Sequence, residues 1–210
     1  MTKLAPSIMA GNPLSLGDEL SQIEKYADFV HMDLMDGHFV PNLGLCLDTC
    51  KSVCKTSKIP CIAHLMVTNP DIYVETFGNM GAYAFVWHIE TNMNHLEMIQ
   101  RAKQLGMKAG LAISPDTEVE ELGQYLNLID MVTIMGVYPG RSGQKFLPAT
   151  TERVSRVRKL DGNPVLEVDG GVSLGNAKEL VDAGADILVS GSSFIKSDNK
   201  SEFSNFIHSL

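Results

Sequence analysis

The chain changes its hydrophobic period repeatedly. Short apolar runs that read as buried strands alternate with segments whose apolar residues recur three and four positions apart, the spacing of an amphipathic helix. The strand-like runs cover 4–10, 28–35, 61–66, 83–88, 108–113, 131–137, 165–168 and 187–190. The helix-like segments cover about 14–26, 45–55, a stretch opening at Pro70-Asp71, then 94–105, 119–126, 149–160, 174–183 and 202–208. Strands that alternate with helices pair in parallel. Eight such units of about 25 residues, with no linker between them, predict an α/β fold: a single (β/α)8 TIM barrel spanning 1–210 as one domain. An open doubly wound sheet would carry a glycine-rich dinucleotide turn after the first strand, and the residues around Asn12-Pro13 do not supply one.

A barrel places every strand's C-terminal end on one rim, where active sites lie. The strand-end chemistry is therefore read together. The second strand ends His31-Met32-Asp33-Leu34-Met35-Asp36-Gly37, and alternation puts His31 and Asp33 on one face. The third carries His64, and the seventh ends Glu167-Val168-Asp169-Gly170-Gly171. Topology predicts that His31, Asp33, His64 and Asp169 converge. Two imidazoles and two carboxylates suit one divalent metal ion: zinc, iron(II), manganese or cobalt. Calcium would want more oxygens. Such an ion holds adjacent sugar oxygens and stabilises an enediolate as a Lewis acid. Asp33 and Asp169 then serve as a base and an acid on the two sides of one carbon.

The second half of the site is anion-binding. Tyr138-Pro139-Gly140-Arg141-Ser142-Gly143-Gln144 follows the sixth strand, Gly170-Gly171 the seventh and Gly191-Ser192 the eighth. Glycine-rich turns that lead into helices leave backbone N–H groups for a phosphate. Arg141 either adds a charge to that ligand or is solvated. The remaining polar residues read as structural: His38 and Asp36 in local loop bonds, His88 as a satisfied strand-end histidine, and 153–159 as a solvated helix face. Cys46, Cys50 and Cys54 read as part of an apolar helix stripe, with Cys61 on the next strand, rather than as a metal site. Net charge of −8 argues against nucleic acid or an anionic membrane as partner. The start of the chain lacks the apolar core of a signal peptide, so a cytoplasmic protein with reduced thiols is expected.

These stretches resemble the ribulose-phosphate 3-epimerase family from Ala5 to Phe194. They are Ala5-Pro6-Ser7-Ile8, residues 31–42, His64-Leu65-Met66-Val67, Val137-x-Pro139-Gly140-x-x-Gly143-Gln144-x-Phe146, 167–171 and Ala183-Gly184-Ala185-Asp186. The resemblance implies a metal-dependent barrel that interconverts ribulose 5-phosphate and xylulose 5-phosphate in the cytosol, with homo-oligomeric assembly. It implies His31, Asp33, His64 and Asp169 as metal ligands, Asp33 as proton acceptor and Asp169 as donor in one direction. Ser7 and His64 would contact the sugar; residues 140–143, Gly170, Gly171, Gly191 and Ser192 would hold the substrate and its phosphate. Met35, Met66 and Met135 match methionines that line that family's site, or pack the barrel core. The chain departs from the pattern at Tyr138, Arg141-Ser142 and Trp87, which leaves a ketohexose 6-phosphate such as allulose 6-phosphate as an alternative substrate. The orotidine-phosphate decarboxylase type needs Lys in D-x-K-x-x-D, where this chain has Met35. A non-catalytic sugar-phosphate-binding barrel is the other alternative.

Overall fold

A computed structural model describes residues 1–210. The elements run β1 (Lys3–Leu4), α1 (Leu16–Tyr26), β2 (Val30–Met35), α2 (Leu47–Thr56), β3 (Cys61–Met66), α3 (Val74–Met80), β4 (Ala84–His88) and α4 (His95–Gln104). Then come β5 (Lys108–Ile113), β6 (Met131–Met135), α5 (Ala149–Arg158), β7 (Val165–Asp169), α6 (Leu174–Asp182), β8 (Ile187–Val189), α7 (Ser192–Ile195) and α8 (Lys200–His208). All eight strands lie in one parallel sheet, ordered β1-β8-β7-β6-β5-β4-β3-β2. The sheet closes on itself where the chain after β1 meets β2. Ser7 bridges His31 there, and the His31 N–H donates to the Pro6 carbonyl at 3.0 Å. This is the expected TIM barrel.

Strand alternation separates two apolar compartments. Outward residues pack beneath the helices in a cluster of 44 buried residues. Inward residues Ala5, Ile62, Ala84, Val86, Ala112, Met131, Ile187 and Val189 form a separate plug inside the ring. Beyond the plug the inward positions turn polar: His31 and Asp33 on β2, His64 on β3, His88 on β4, Thr133 on β6, Glu167 and Asp169 on β7. Register completes the arrangement, pairing Asp33 with His64 and Met135 with Asp169.

Several sequence expectations change. The run 4–10 is not one strand, because residues 8–10 turn as a 3₁₀ segment ended by Gly11. Segment 119–126 forms only a 3₁₀ turn, Val119–Leu122; Gly123, a poor helix former, follows, while Val119, Leu122 and Leu126 are buried at the spacing a helix would use. Arg153 is no part of a solvated face: it is buried, and its guanidinium donates to the Ser114 carbonyl at 2.8 Å, tying α5 to the loop after β5. Trp87 points outward, tilted against Phe85, and donates its indole N–H to His95 Nδ1 at 3.0 Å. It therefore belongs to the outer core and not to the site. The cysteine stripe is partial. Cys50 is buried and burial pushes its thiol up to about 12, as expected of a small hydrophobe, while Cys46 is exposed.

Asp28 holds the closing seam together. Its carboxylate accepts from Lys3 Nζ at 2.8 Å, the Leu4 N–H at 2.9 Å and His208 Nε2 at 2.7 Å, joining β1 and α8 to the entry of β2. Burial acts to raise this carboxyl, and the three donors outweigh it and hold it below the ordinary carboxylate range. Asp28→Asn is expected to cost about 1–3 kcal/mol at neutral pH. A lowered pKa gives stability that is complete above about pH 4 and lost as pH falls through the folded value. Urea midpoints measured against pH should therefore show wild type and Asp28→Asn drawing together below about pH 4.

Candidate metal centre and anion-binding loops

The strand ends bring all four predicted ligands together, with one donor atom from each of His31, Asp33, His64 and Asp169 lying within 4.8 Å of the others. His64 Nδ1 sits 3.2 Å from Asp33 Oδ1 and 3.3 Å from Asp169 Oδ2. Ser7 donates its hydroxyl to Asp33 Oδ2 at 2.5 Å, which orients the carboxylate. His31 is fully buried, yet neither ring nitrogen has a hydrogen-bond partner. Its Nδ1 faces Asp33 Oδ1 and its Nε2 faces Glu167 Oε1, both at 3.5 Å, too far for a bond. Glu167 accepts from the Thr133 hydroxyl at 2.7 Å and leaves its second oxygen unpartnered.

Buried polar atoms without partners are costly, and so is unbalanced buried charge. This cluster has both. Burial lowers the affinity of His31 for a proton, but Asp33, Glu167 and Asp169 reverse that and raise it well above the ordinary imidazole range. His64 is likewise raised to about 9, against burial, by bonding to Asp169 and Asp33. Asp33, although buried, is held well below the carboxylate range by the two imidazoles. The site thus draws positive charge inward. Two imidazole nitrogens and two carboxylate oxygens at this spacing fit a divalent ion, and an ion would give the orphaned His31 Nδ1 a partner.

A cavity of about 280 Å³ opens over the cluster. Ser7, Asp33 and Asp169 line its inner end, with Met35, Met66 and Met135, for which the sequence left site lining and core packing both open; Met9, which the sequence reading missed, joins them two residues after Ser7. Gly140, Arg141, Ser142, Gly143, Gly170, Gly171, Gly191 and Ser192 line the other end. His31 and His64 are fully buried and do not line the cavity, so an incoming molecule meets the two acids first. Tyr138, one of the departures from the family pattern, does not line the cavity and donates its hydroxyl to Asp116 at 2.8 Å. Gln144 holds the loop by donating to the carbonyls of Tyr138 and Arg141, and Asn42 Nδ2 donates to the Gly140 carbonyl at 2.8 Å. Asp36 plays the anchoring part expected of it, accepting the N–H groups of His38, Phe39 and Thr68. Those bonds outweigh burial and bring it down to about 2.

The turn after β7 requires glycine. Gly170 and Gly171 have φ of +106° and +69°. A Cβ at Gly170 would lie 2.5 Å from Val137 Cγ2, and one at Gly171 would lie 2.8 Å from Phe146 Cα. The N–H groups of Gly170, Gly171 and residues 141–143 have no acceptor within the protein. Such a row of free donors beside a cavity is what an anion needs. Gly171→Ala, strained in conformation and contact, is expected to lower stability by about 1–3 kcal/mol. The urea midpoint should fall at unchanged slope.

The fold alone is shared widely. A mutant tryptophan synthase α-subunit from Pyrococcus furiosus superposes with a TM-score of 0.73 at 16% identity, covering 100% of this chain and 97% of that one. Sequence relatives are much more similar. The ribulose-phosphate 3-epimerase of Aquifex aeolicus is 40% identical over 91% of this chain and 89% of its own length. The cytoplasmic isoform of that enzyme from Oryza sativa subsp. japonica is 41% identical over 91% of this chain and 86% of its own. Residues 3–195 match the model of the ribulose-phosphate 3-epimerase family, with the strand-end acids, imidazoles and glycine turns all inside the match. By both measures the chain belongs to the ribulose-phosphate 3-epimerase family.

Proposed function

We propose that this chain, acting as one domain, is a metal-dependent 3-epimerase that interconverts D-ribulose 5-phosphate and D-xylulose 5-phosphate. The observation that carries the reading is the position of Asp33 and Asp169. Both acids touch the same His64 nitrogen from strands three places apart on the ring, and both face a cavity whose far end is a row of free N–H groups. His31, Asp33, His64 and Asp169 would hold the ion, with zinc, iron(II), manganese and cobalt all suited to that donor set. When bound, it supplies Lewis-acid stabilisation of the negative charge that develops on the ketose oxygens.

The chain's own groups do the rest. The phosphate is bound by the backbone of 140–143, Gly170, Gly171, Gly191 and Ser192, with Arg141 adding charge at the rim. That anchorage sets C3 between the two acids. Asp33, ionised and oriented by Ser7, takes the C3 proton from one side. Asp169 returns a proton from the other, and the centre inverts; in the reverse direction the roles exchange. Met9, Met35, Met66 and Met135 exclude water from the enediolate. No helix is long and apolar enough to cross a membrane. The cytoplasmic isoform among the relatives supports a cytoplasmic location, and exposed Leu14, Leu43 and Ile72 on the loops after β1, β2 and β3 support self-association at that rim.

Deuterium exchange from solvent into C3 of ribulose 5-phosphate, followed by NMR, tests the reading. Exchange should vanish on chelation and return with zinc or iron(II). Asp33→Asn and Asp169→Asn should each lower it by at least about 10³-fold, within the range that removal of a positioned acid or base produces. Exchange with allulose 6-phosphate alone would keep the mechanism and change the substrate. Tight binding of both sugars without exchange would leave a binding protein.

A further inference from the structure

His64 presents Nδ1 to Asp33 and Asp169, and its other ring nitrogen meets Nε2 of His88 at 3.0 Å. The two rings are fully buried, with centroids 5.1 Å apart and planes inclined by 26°. His88 Nδ1 lies 3.0 Å from Glu90 Oε2. The other Glu90 oxygen accepts the Ser114 N–H at 2.7 Å and the Thr117 hydroxyl. A chain of contacts thus leaves the acid cluster through β3 and β4 and ends on a carboxylate in the loop after β4.

Proton bookkeeping gives this chain a direction. An imidazole that offers Nδ1 to a metal ion carries its proton on Nε2. For His64 that N–H points at His88 Nε2, which must then be a bare lone pair. The His88 proton is consequently on Nδ1, facing Glu90, and a carboxylate only accepts. The Ser114 hydroxyl, 3.4 Å from the same nitrogen, can turn to give or accept and so sets no direction. We infer that Glu90, acting through His88, fixes the tautomer in which His64 presents its Nδ1 lone pair to the ion, which makes Glu90 and His88 positioning residues for the metal centre. The inference rests on the metal-dependent reading above. His31 has no such bonded support: the Glu167 carboxylate stands behind its Nε2 at 3.5 Å, beyond bonding distance.

Glu90→Gln is the informative change, because it keeps the shape and inverts the direction. The Ser114 N–H is a fixed donor and claims the single amide oxygen. The amide NH₂ then faces His88 Nδ1, which becomes an acceptor. His88 carries its proton on Nε2, and His64 is driven to the tautomer with its proton on Nδ1, against the metal. Zinc affinity, measured by competition with a chelating indicator, should fall about 10–100-fold in Glu90→Gln, the range for loss of a ligand's supporting partner. The visible spectrum of the cobalt(II) protein should change with it. Imidazole ¹⁵N spectra of zinc-loaded wild type give a test that needs no variant: His88 should be protonated on Nδ1 and bare on Nε2. Unaltered zinc affinity and cobalt spectrum in Glu90→Gln, or a wild-type His88 protonated on Nε2, would overturn the inference. A wild-type chain that binds no zinc, cobalt, iron(II) or manganese would instead overturn the metal-dependent reading on which it rests.

Discussion

The barrel mouth buries acids and imidazoles away from bulk solvent, and most of the molecule's local arrangement answers to that. Asp33 is 4% exposed, Glu167 and His31 not at all. Charge removed from water is expensive unless an opposite charge or a hydrogen bond meets it. Ser7 donates to Asp33, Thr133 to Glu167, and the imidazoles stand between the carboxylates. These partners come from β2, β3, β6, β7 and the turn after β1. Only a closed parallel ring, in fixed register, brings them within reach of one another. A slip of one residue in β2 or β7 would turn His31, Asp33 or Asp169 into the helix layer, where 44 buried apolar residues are packed. The apolar plug beneath serves the same end, because it seals the ring from the opposite side.

The two halves of the site differ in mechanical character for a physical reason. The proton transfer proposed for Asp33 and Asp169 requires fixed distances, and both acids stand on strands held on both sides. An anion needs many free N–H donors, which strands cannot offer, and the free N–H groups of 141–143, Gly170 and Gly171 lie on glycine turns. The halves are joined at two points. The Gly136 N–H donates to the Asp169 carbonyl at 2.6 Å, and Asn42 ties the loop after β2 to Gly140.

The strand-end residues were legible because two simple rules, alternation along a strand and a shared rim in a barrel, place His31, Asp33, His64 and Asp169 without any knowledge of side-chain packing. Gly170 and Gly171 followed from turn chemistry. What escaped depends on neighbours distant in sequence. Trp87 sits on a strand that also carries a site-facing histidine, and only the outward pocket containing His95 shows which way the indole points. Tyr138 finds Asp116 on another loop. Arg153 looks like one more surface cation until the Ser114 carbonyl is placed beside it. His88 read correctly as a satisfied histidine, but its partner, His64, comes from an adjacent strand whose stagger the sequence does not contain. The 119–126 segment kept a helix's apolar spacing without its length: Val119, Leu122 and Leu126 are buried, but the 3₁₀ turn stops at Gly123.

Charge balance also explains why this barrel suits proton transfer assisted by a metal ion. Three carboxylates surround the two imidazoles, and no Lys or Arg side chain enters the cluster from the walls. The position two residues after Asp33 faces the same cavity, and it is Met35. A lysine there would place a permanent ammonium beside Asp33 and Asp169. It would satisfy them internally, compete with any bound cation, and stand ready to protonate a carbanion from one side only. Methionine does none of these things. It leaves the negative charge to be balanced by an exchangeable cation, keeps the dielectric low around both acids, and leaves each acid able to reach its own side of a substrate carbon. Inversion at that carbon needs two proton carriers of matched type, and on the proposed reading the two carboxylates that share one His64 nitrogen would be those carriers.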